Sequence, residues 1–286
     1  MMFPLRKVAS RSEIVVIMND IRWVSFMALL FGRRNYKTVL WGQGIPNRRN
    51  RVTIKVRKII ANFSDSLLFY DEKRKAEFCL HSGLSQRSFV AANTLVVNNH
   101  GRSEEYRNTI LFVGRMNKEK RPVDLLEAFC KIPETYRSNI KLLFVGDGQE
   151  KERLLTMIAK TKSCDIEVLS ACYDEKELQK LYARAIVSVI PGTVGLGIVH
   201  AFAYGVPLLC SPDRKHGPEF SYASKDNAFF YTSNDTLTEQ LIHIIRNPQE
   251  VRTKGQHAYS TFKESLGGER WLAGFWDACN AATIGR

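Results

Sequence analysis

Three short stretches of the 286-residue chain combine glycine with cationic or backbone-exposing positions in a way that suits an anionic ligand. Gly114-Arg115 follows the apolar run Thr109–Val113, and Lys120 comes five residues after Arg115. Glycine lets the backbone approach a ligand, while Arg and Lys supply charge and donors for phosphate oxygens. The plainer reading is a solvated loop after a strand. Pro191 to Gly197 (PGTVGLG) leads from an apolar segment into a helical one. Its glycines expose backbone N–H groups at a helix start, which suits a diphosphate. It is not the spaced GxGxxG of dinucleotide enzymes, and a tight strand–helix turn explains it equally. Gly205-Val206-Pro207 leads a further strand into Ser211–Glu219, which ends in Gly217-Pro218-Glu219. That loop would wall the same pocket, although Glu219 is equally explained as a first-turn carboxylate favoured by a helix dipole.

These loops need a scaffold, and the pattern around them predicts one. Glu13–Met18 and Lys37–Trp41 read as buried strands, the second ending in Gly42-Gln43-Gly44. Val52–Phe63 has helical spacing of Val52, Val56, Ile59, Ile60 and Phe63. Ser66–Phe69, a helix near Glu72–Leu80, and Ser88–Ala91 continue the alternation. In the second part, strands are expected at Thr109–Val113, Ile140–Val145, Ile166–Leu169, Ile186–Ile190 and Val206–Cys210. Helices are expected from Pro122, at Lys151–Ala159, after Asp174, at Leu196–Tyr204 and at Asp235–Ile245. Repeated β-α alternation predicts an α/β fold with parallel sheets covered by helices on both faces. In such sheets ligands sit at the carboxyl ends of the strands, where the glycine-bearing loops fall. Trp271–Ala282 reads as a last helix packing back on the body, with Trp271, Leu272, Phe275, Trp276 and Cys279 on one side.

Composition narrows the function class. The apolar run Trp23–Phe31 is too short to span a bilayer, and Met1–Lys7 lacks the features of a signal peptide, so a cytoplasmic protein is expected. Cys79, Cys130, Cys164, Cys172, Cys210 and Cys279 form no CxxC pair and have no histidine at ligand spacing. Buried free thiols are expected, with neither a disulfide framework nor a metal site. The net charge of +13 is uneven: residues 1–108 hold 19 Lys+Arg against 8 Asp+Glu, and Arg33–Lys58 contains nine basic residues and no acid. An anionic membrane, a diphosphate-bearing lipid or simple solvation would each account for this stretch. The region carries no recognised nucleic-acid motif or regular aromatic platform, so nucleic acid is not an expected partner.

Taken together, the motifs resemble a known family. Ile110–Lys120 (ILFVGRMNKEK), Asp124–Phe129 (DLLEAF), Leu142–Gly148 (LLFVGDG), Gly205-x-Pro207 and Gly217-Pro218-Glu219 are similar, in order and spacing, to glycosyltransferase family 4. Pro191–Leu196 with His200 and Tyr204-Gly205, together with Leu40-Trp41-Gly42 and Phe89–Thr94, resemble a bacterial branch linked to surface-polysaccharide assembly. The resemblance implies a GT-B fold of two Rossmann-like domains with the first incomplete. The expected parts are a partial acceptor-side domain over 1–107, a nucleotide-sugar-binding domain over 108–265, and a C-terminal helix over 266–286.

It implies a retaining, hexosyltransferase-like glycosyltransferase that moves a sugar from a nucleotide-diphosphate donor to a polysaccharide or lipid-linked acceptor. No cofactor or bound metal is implied. Arg115 and Lys120 would hold the donor diphosphate and stabilise the leaving nucleotide. Gly114, Val194, Gly195, Leu196, His200 and Glu219 would complete the donor site, and Gln43 would lie on the acceptor side. Three departures accompany the match. The family's two glutamates, eight positions apart, fall on Gly192 and His200, so ribose and sugar hydroxyls would be held differently. Gln43 stands where the branch tends to have histidine, and glutamine cannot act as a general base. About four strands precede Asn98, fewer than a full domain of this type has, so the chain is expected to be a reduced form or a piece of a longer protein. A non-catalytic nucleotide-sugar-binding or partner module is the alternative. The basic stretch Arg33–Lys58 is expected to meet an anionic membrane surface, with peripheral attachment at the inner face.

Overall fold

The computed structural model describes residues 5–44, 51–80, 82–98, 100–101, 107–161 and 165–284. Arg48 and Arg49 of the basic stretch, and Cys164, lie outside these residues. The first part runs α1 (Leu5–Ala9), β1 (Ile14–Met18), α2 (Val24–Met27), β2 (Lys37–Gly42), α3 (Arg51–Ala61), β3 (Ser66–Phe69), α4 (Glu72–Cys79) and β4 (Ser88–Val90). There follow β5 (Thr109–Val113), α5 (Pro122–Cys130), α6 (Glu134–Arg137), β6 (Lys141–Val145), α7 (Lys151–Ile158), β7 (Ile166–Leu169) and α8 (Glu175–Ala183). The chain continues through β8 (Ala185–Ile190), α9 (Gly197–Ala203), β9 (Leu208–Cys210), β10 (Ala228–Phe230), α10 (Asn234–Arg246), α11 (Pro248–Thr261) and α12 (Gly268–Ile284).

Two compact units result, residues 1–93 with 268–286 and residues 94–267. The expected boundary near 108 moves back to Thr94. Asn98 bonds to the Glu175 carboxylate, the Gly101 N–H to the Ala203 carbonyl, and Asn108 to the Arg184 carbonyl, so this polar stretch belongs to the second unit. The C-terminal helix is not a separate part but a layer of the first unit.

The first unit has a parallel four-stranded sheet in the order β1-β2-β3-β4. Side chains alternate between its faces. Leu40, Leu67 and Phe69 enter one core with Ile17, Phe78 and Leu30. Val39 and Leu68 enter another with Ala278, Cys279 and Ala282 of α12. Every residue of β3 is buried, as a strand covered on both faces must be. The close approach of α12 depends on Gly274, where a Cβ would fall on the Val90 carbonyl oxygen. The Ser66 hydroxyl donates to the Ala278 carbonyl at 2.7 Å. Trp271 and Phe275 stack at 5.1 Å and meet Trp41. Leu272 and Trp276, expected on the same side, are 58% and 62% exposed. The packed stripe is 271, 275, 278, 279 and 282, because the sheet accepts a narrower face than the apolar pattern offers.

The second unit has a parallel six-stranded sheet in the order β10-β9-β8-β5-β6-β7. Its core runs from Ile110 and Phe112 through Leu142, Phe144, Val187 and Val189 to Leu237 and Leu241 of α10. The order reverses at β5, whose neighbours are β6 on one side and β8 on the other. That switch point opens a crevice at the carboxyl ends of the two adjacent strands β5 and β8.

Candidate functional site

The loop after β5 and the loop after β8 meet at this crevice, although some 75 residues separate them in sequence. Gly114 continues β5 by donating to the Val145 carbonyl, and Met116, fully buried, donates to Asp147. The Asn117 side chain accepts from the Lys120 N–H at 3.0 Å. Arg121 then takes a left-handed backbone (φ 55°), an uncommon conformation for a residue with a side chain, and pairs with Asp124 at 2.6 Å. This sharp corner starts α5 and turns Lys120 back over the crevice.

Lys120 binds the second loop twice. Its carbonyl accepts from the Gly192 N–H at 3.1 Å, and its ammonium donates to the Thr193 carbonyl at 2.5 Å. The neighbouring Glu119 carbonyl accepts from the Thr193 N–H at 2.9 Å. A Cβ on residue 192 would fall on the Glu119 carbonyl oxygen. Glycine at this position is therefore a packing requirement here, and a glutamate could not occupy it without moving the Lys120 loop.

A third loop supports the second. The His216 imidazole accepts from the Val194 N–H through Nδ1 at 3.0 Å, and Nε2 donates to the Ser211 carbonyl at 2.8 Å. Phe220 stacks on that imidazole at 4.0 Å, and the Gly217 N–H donates to the Val194 carbonyl. From below, the Tyr231 hydroxyl donates to the Pro191 carbonyl at 2.9 Å. Glu219 is buried, its carboxylate turned against Gly217.

The electrostatics follow from this packing. Burial and the Arg115 charge push the Lys120 ammonium below its ordinary pKa, and Glu219 and Glu119 oppose them. Arg115 itself is exposed at the rim. Burial pulls His216 below the ordinary histidine value, the Ser211 bond opposes this, and the Lys120 and Arg214 charges add to it. His216 is thus held neutral, which its role as acceptor requires.

Among the expected site residues, Lys120 and Glu219 share one electrostatic neighbourhood, with Arg115 beside Lys120. The Val194 N–H is already committed to His216, so Val194 is not open to a ligand as expected. The Gly195 and Leu196 N–H groups have no hydrogen bond among the described residues. His200 lies one turn into α9, the helix that follows Leu196. Its neighbours are Tyr182, 6.3 Å between rings, and the Glu175 charge, and burial lowers its pKa. Gln43 belongs to the first unit, beside a cavity of about 550 Å³ at the carboxyl ends of β1, β2 and β3. His216, Thr193, Tyr231 and Asn117 were not singled out from sequence. His216 stands next to Gly217-Pro218-Glu219, and that adjacency was the one available signal.

The model of a family described as glycosyl transferases group 1 matches residues 98–261, more than half of the chain. The chain belongs to this family. Its curated relatives include the alpha-monoglucosyldiacylglycerol synthase of Acholeplasma laidlawii, 28% identical over 162 residues, covering 55% of this chain and 39% of that protein. The amylovoran biosynthesis glycosyltransferase AmsD of Erwinia amylovora is 30% identical over 159 residues, covering 54% and 43%. These matches thus span about two fifths of the relatives' length. Among solved structures, a mutant of S. aureus TarM in complex with UDP and other ligands aligns with a TM-score of 0.69 at 16% identity, covering 98% of this chain and 58% of that one. Anabaena HepE in complex with UDP gives 0.70 at 14% identity, covering 97% and 81%. Both likenesses extend through the first unit and establish the GT-B glycosyltransferase fold there, beyond the stretch that the family model matches.

Proposed function

We propose that the chain is a retaining glycosyltransferase that moves a sugar from a nucleotide-diphosphate donor to a polysaccharide or lipid-linked acceptor. The observation that carries this reading is Lys120. Its half-buried ammonium is fixed by the Thr193 carbonyl, has Arg115 beside it, and sits at the switch point of the second sheet. Two cations there suit a diphosphate, and the Gly195 and Leu196 N–H groups supply further donors. The chemistry asks for little else. As the bond between the anomeric carbon and the diphosphate oxygen breaks, negative charge grows on the leaving phosphate. Cations already in place stabilise that charge more than they stabilise the intact donor. On this reading Arg115 and Lys120 take the role that a divalent metal plays elsewhere.

His200 would serve the ribose end of the donor with Glu175 nearby, and Glu219 would face the sugar. Gln43 would belong to the acceptor side. The UDP in the TarM and HepE structures makes a uridine nucleotide the first donor to try. The basic first unit would rest on an anionic inner membrane face, where a lipid-linked acceptor is met. Among the described residues no helix is long and apolar enough to cross a membrane.

A second reading is a non-catalytic module that binds the nucleotide sugar or pairs with another transferase. Gly192 favours it, because the packing against Glu119 leaves no room for a carboxylate at that position. Calorimetry with UDP-, GDP-, ADP- and dTDP-sugars, followed by donor hydrolysis, separates the two. Binding with turnover, both lost in Arg115→Ala/Lys120→Ala, supports the enzyme. Binding without turnover supports the nucleotide-sugar-binding module, and a folded protein that binds no donor overturns the enzyme and leaves the partner module, which pull-down with a full-length transferase then tests.

A further inference from the structure

The first unit contains a partly buried cation with no ion pair of its own among the described residues. Arg57 lies half-buried on α3 at the cavity of about 550 Å³ formed by the carboxyl ends of β1, β2 and β3. One guanidinium nitrogen donates to the carbonyls of Asn19 (3.0 Å) and Gly44 (3.2 Å), and both of these partners are neutral. Its Nε is buried without a hydrogen-bond partner, and among the described residues Arg57 has no ion pair. The acid whose charge reaches it, Asp20, is engaged by another arginine. Both oxygens of Asp20 are held by Arg22, at 2.5 to 3.0 Å. No acid occurs anywhere in the sequence from Arg33 to Lys58.

A partly desolvated guanidinium whose one nearby carboxylate is bound to another arginine is costly, and the cost falls when an anion binds it. A second polar group at the same cavity is also unsatisfied. Asn19 is only 5% exposed, and its carboxamide oxygen has no partner. An acceptor atom beside a cation fits a ligand that presents a hydroxyl next to a phosphate oxygen. Gln43 and Tyr70 line the same cavity. The carboxyl ends of parallel strands are where ligands of such sheets bind.

We propose that this cavity binds the phosphate or diphosphate ester end of the acceptor, with Arg57 as its principal cation and Asn19 as a hydroxyl acceptor. The proposal rests on the reading of the protein as a glycosyltransferase and names the acceptor's chemical class.

The test uses the full chain carrying Arg115→Ala and Lys120→Ala, so that the other anion site is silent. Inorganic pyrophosphate and geranyl diphosphate are titrated by calorimetry, with thermal unfolding as the second readout. Both ligands are expected to bind and raise Tm, and Arg57→Gln is expected to weaken binding at least tenfold and abolish the Tm rise. Asn19→Asp, nearly isosteric, places a negative charge in the cavity and is expected to do the same. It keeps the proposal falsifiable if Arg57→Gln fails to fold. Tighter binding of geranyl diphosphate identifies a lipid-linked source, and equal binding identifies the polar anion alone. Pyrophosphate binding that is absent, or unchanged in both Arg57→Gln and Asn19→Asp, overturns the proposal. Donor turnover by the otherwise unaltered chain is measured separately. Turnover without an Arg57-dependent anion site sinks only this inference. An Arg57-dependent site in a chain that binds no nucleotide sugar sinks the assignment of the anion as an acceptor.

Discussion

Lys120 and His216 occupy one small region and are tuned in the same direction for different purposes. The Lys120 ammonium is depressed by burial and by Arg115, and the Glu219 and Glu119 charges favour its charged form. Lys120→Met should therefore remove a cation and lower turnover by about 10²- to 10³-fold, the range seen for one stabilising group in a site of this kind. Steady-state kinetics with the preferred donor would check it, and a loss of less than about threefold would remove Lys120 from the mechanism. His216 has its folded pKa below the ordinary value near 6.5, because burial and two nearby cations disfavour the imidazolium. Its contribution to stability is fully present above about pH 6.5 and is lost as pH falls below that towards the folded pKa, where protonation removes the acceptor for the Val194 N–H. Donor affinity and Tm should both decline on that acid limb. His216→Asn offers a side-chain oxygen near the place of Nδ1 and does not titrate, so it should flatten the limb and leave only the part due to His200, which is depressed in the same sense. An unchanged pH profile in His216→Asn would show that the bond to Val194 does not organise the site.

At the scale of elements, glycine marks the places where two pieces of backbone come closer than any side chain permits. Gly274 is the clearest case in the first unit. Gly274→Ala should push α12 away from Val90 and destabilise that unit by about 1–3 kcal/mol, the usual range for an overpacked contact. Because Trp41 and Trp271 meet at this interface, thermal unfolding followed by tryptophan emission would report it, and an unaltered Tm would mean that the helix shifts freely. Strands and helices with strong apolar alternation were legible from the residues alone: β3, β5 and β7 fall where the pattern put them, and β6 differs only at its first residue. The short β10 and the polar α11 were not anticipated, since three residues, two of them buried, and a weakly amphipathic helix leave little periodic signal. The charged members of the site were legible because Arg115 and Lys120 follow a strand within a known motif. Their surroundings were not, because the bonds from Lys120 to residues 192 and 193 arise from β5 and β8 lying side by side, a fact of topology that no local spacing contains. The engagement of Val194 by His216 was hidden for the same reason. Gly192 looked like a lost carboxylate in sequence and proves to be a point where two loops touch.

For the whole molecule, charge and exposed apolar area are distributed together. Helix α3 turns Ile54 and Ile60 towards the core of the first unit, yet Val52, Val56 and Ile59 are 70%, 39% and 52% exposed, with Arg51 and Lys55 also exposed between them. A basic helix with an outward apolar stripe suits the interface of an anionic bilayer, where each Lys or Arg adds about 1 kcal/mol. Partitioning onto vesicles should fall steeply when anionic lipid is replaced by neutral lipid or when salt is raised, and Val52→Asp/Ile59→Asp should reduce it on anionic vesicles. Equal partitioning onto neutral vesicles would refute electrostatic attachment. The place of α12 in the first unit has a temporal consequence as well. A ribosome delivers β1 to β4 early, but the layer that covers Val39 and Leu68 emerges only after the entire second unit has been made. Throughout that interval the nascent first unit presents a bare apolar sheet face, so chaperone demand and losses to premature termination should be governed by how quickly the final helix arrives.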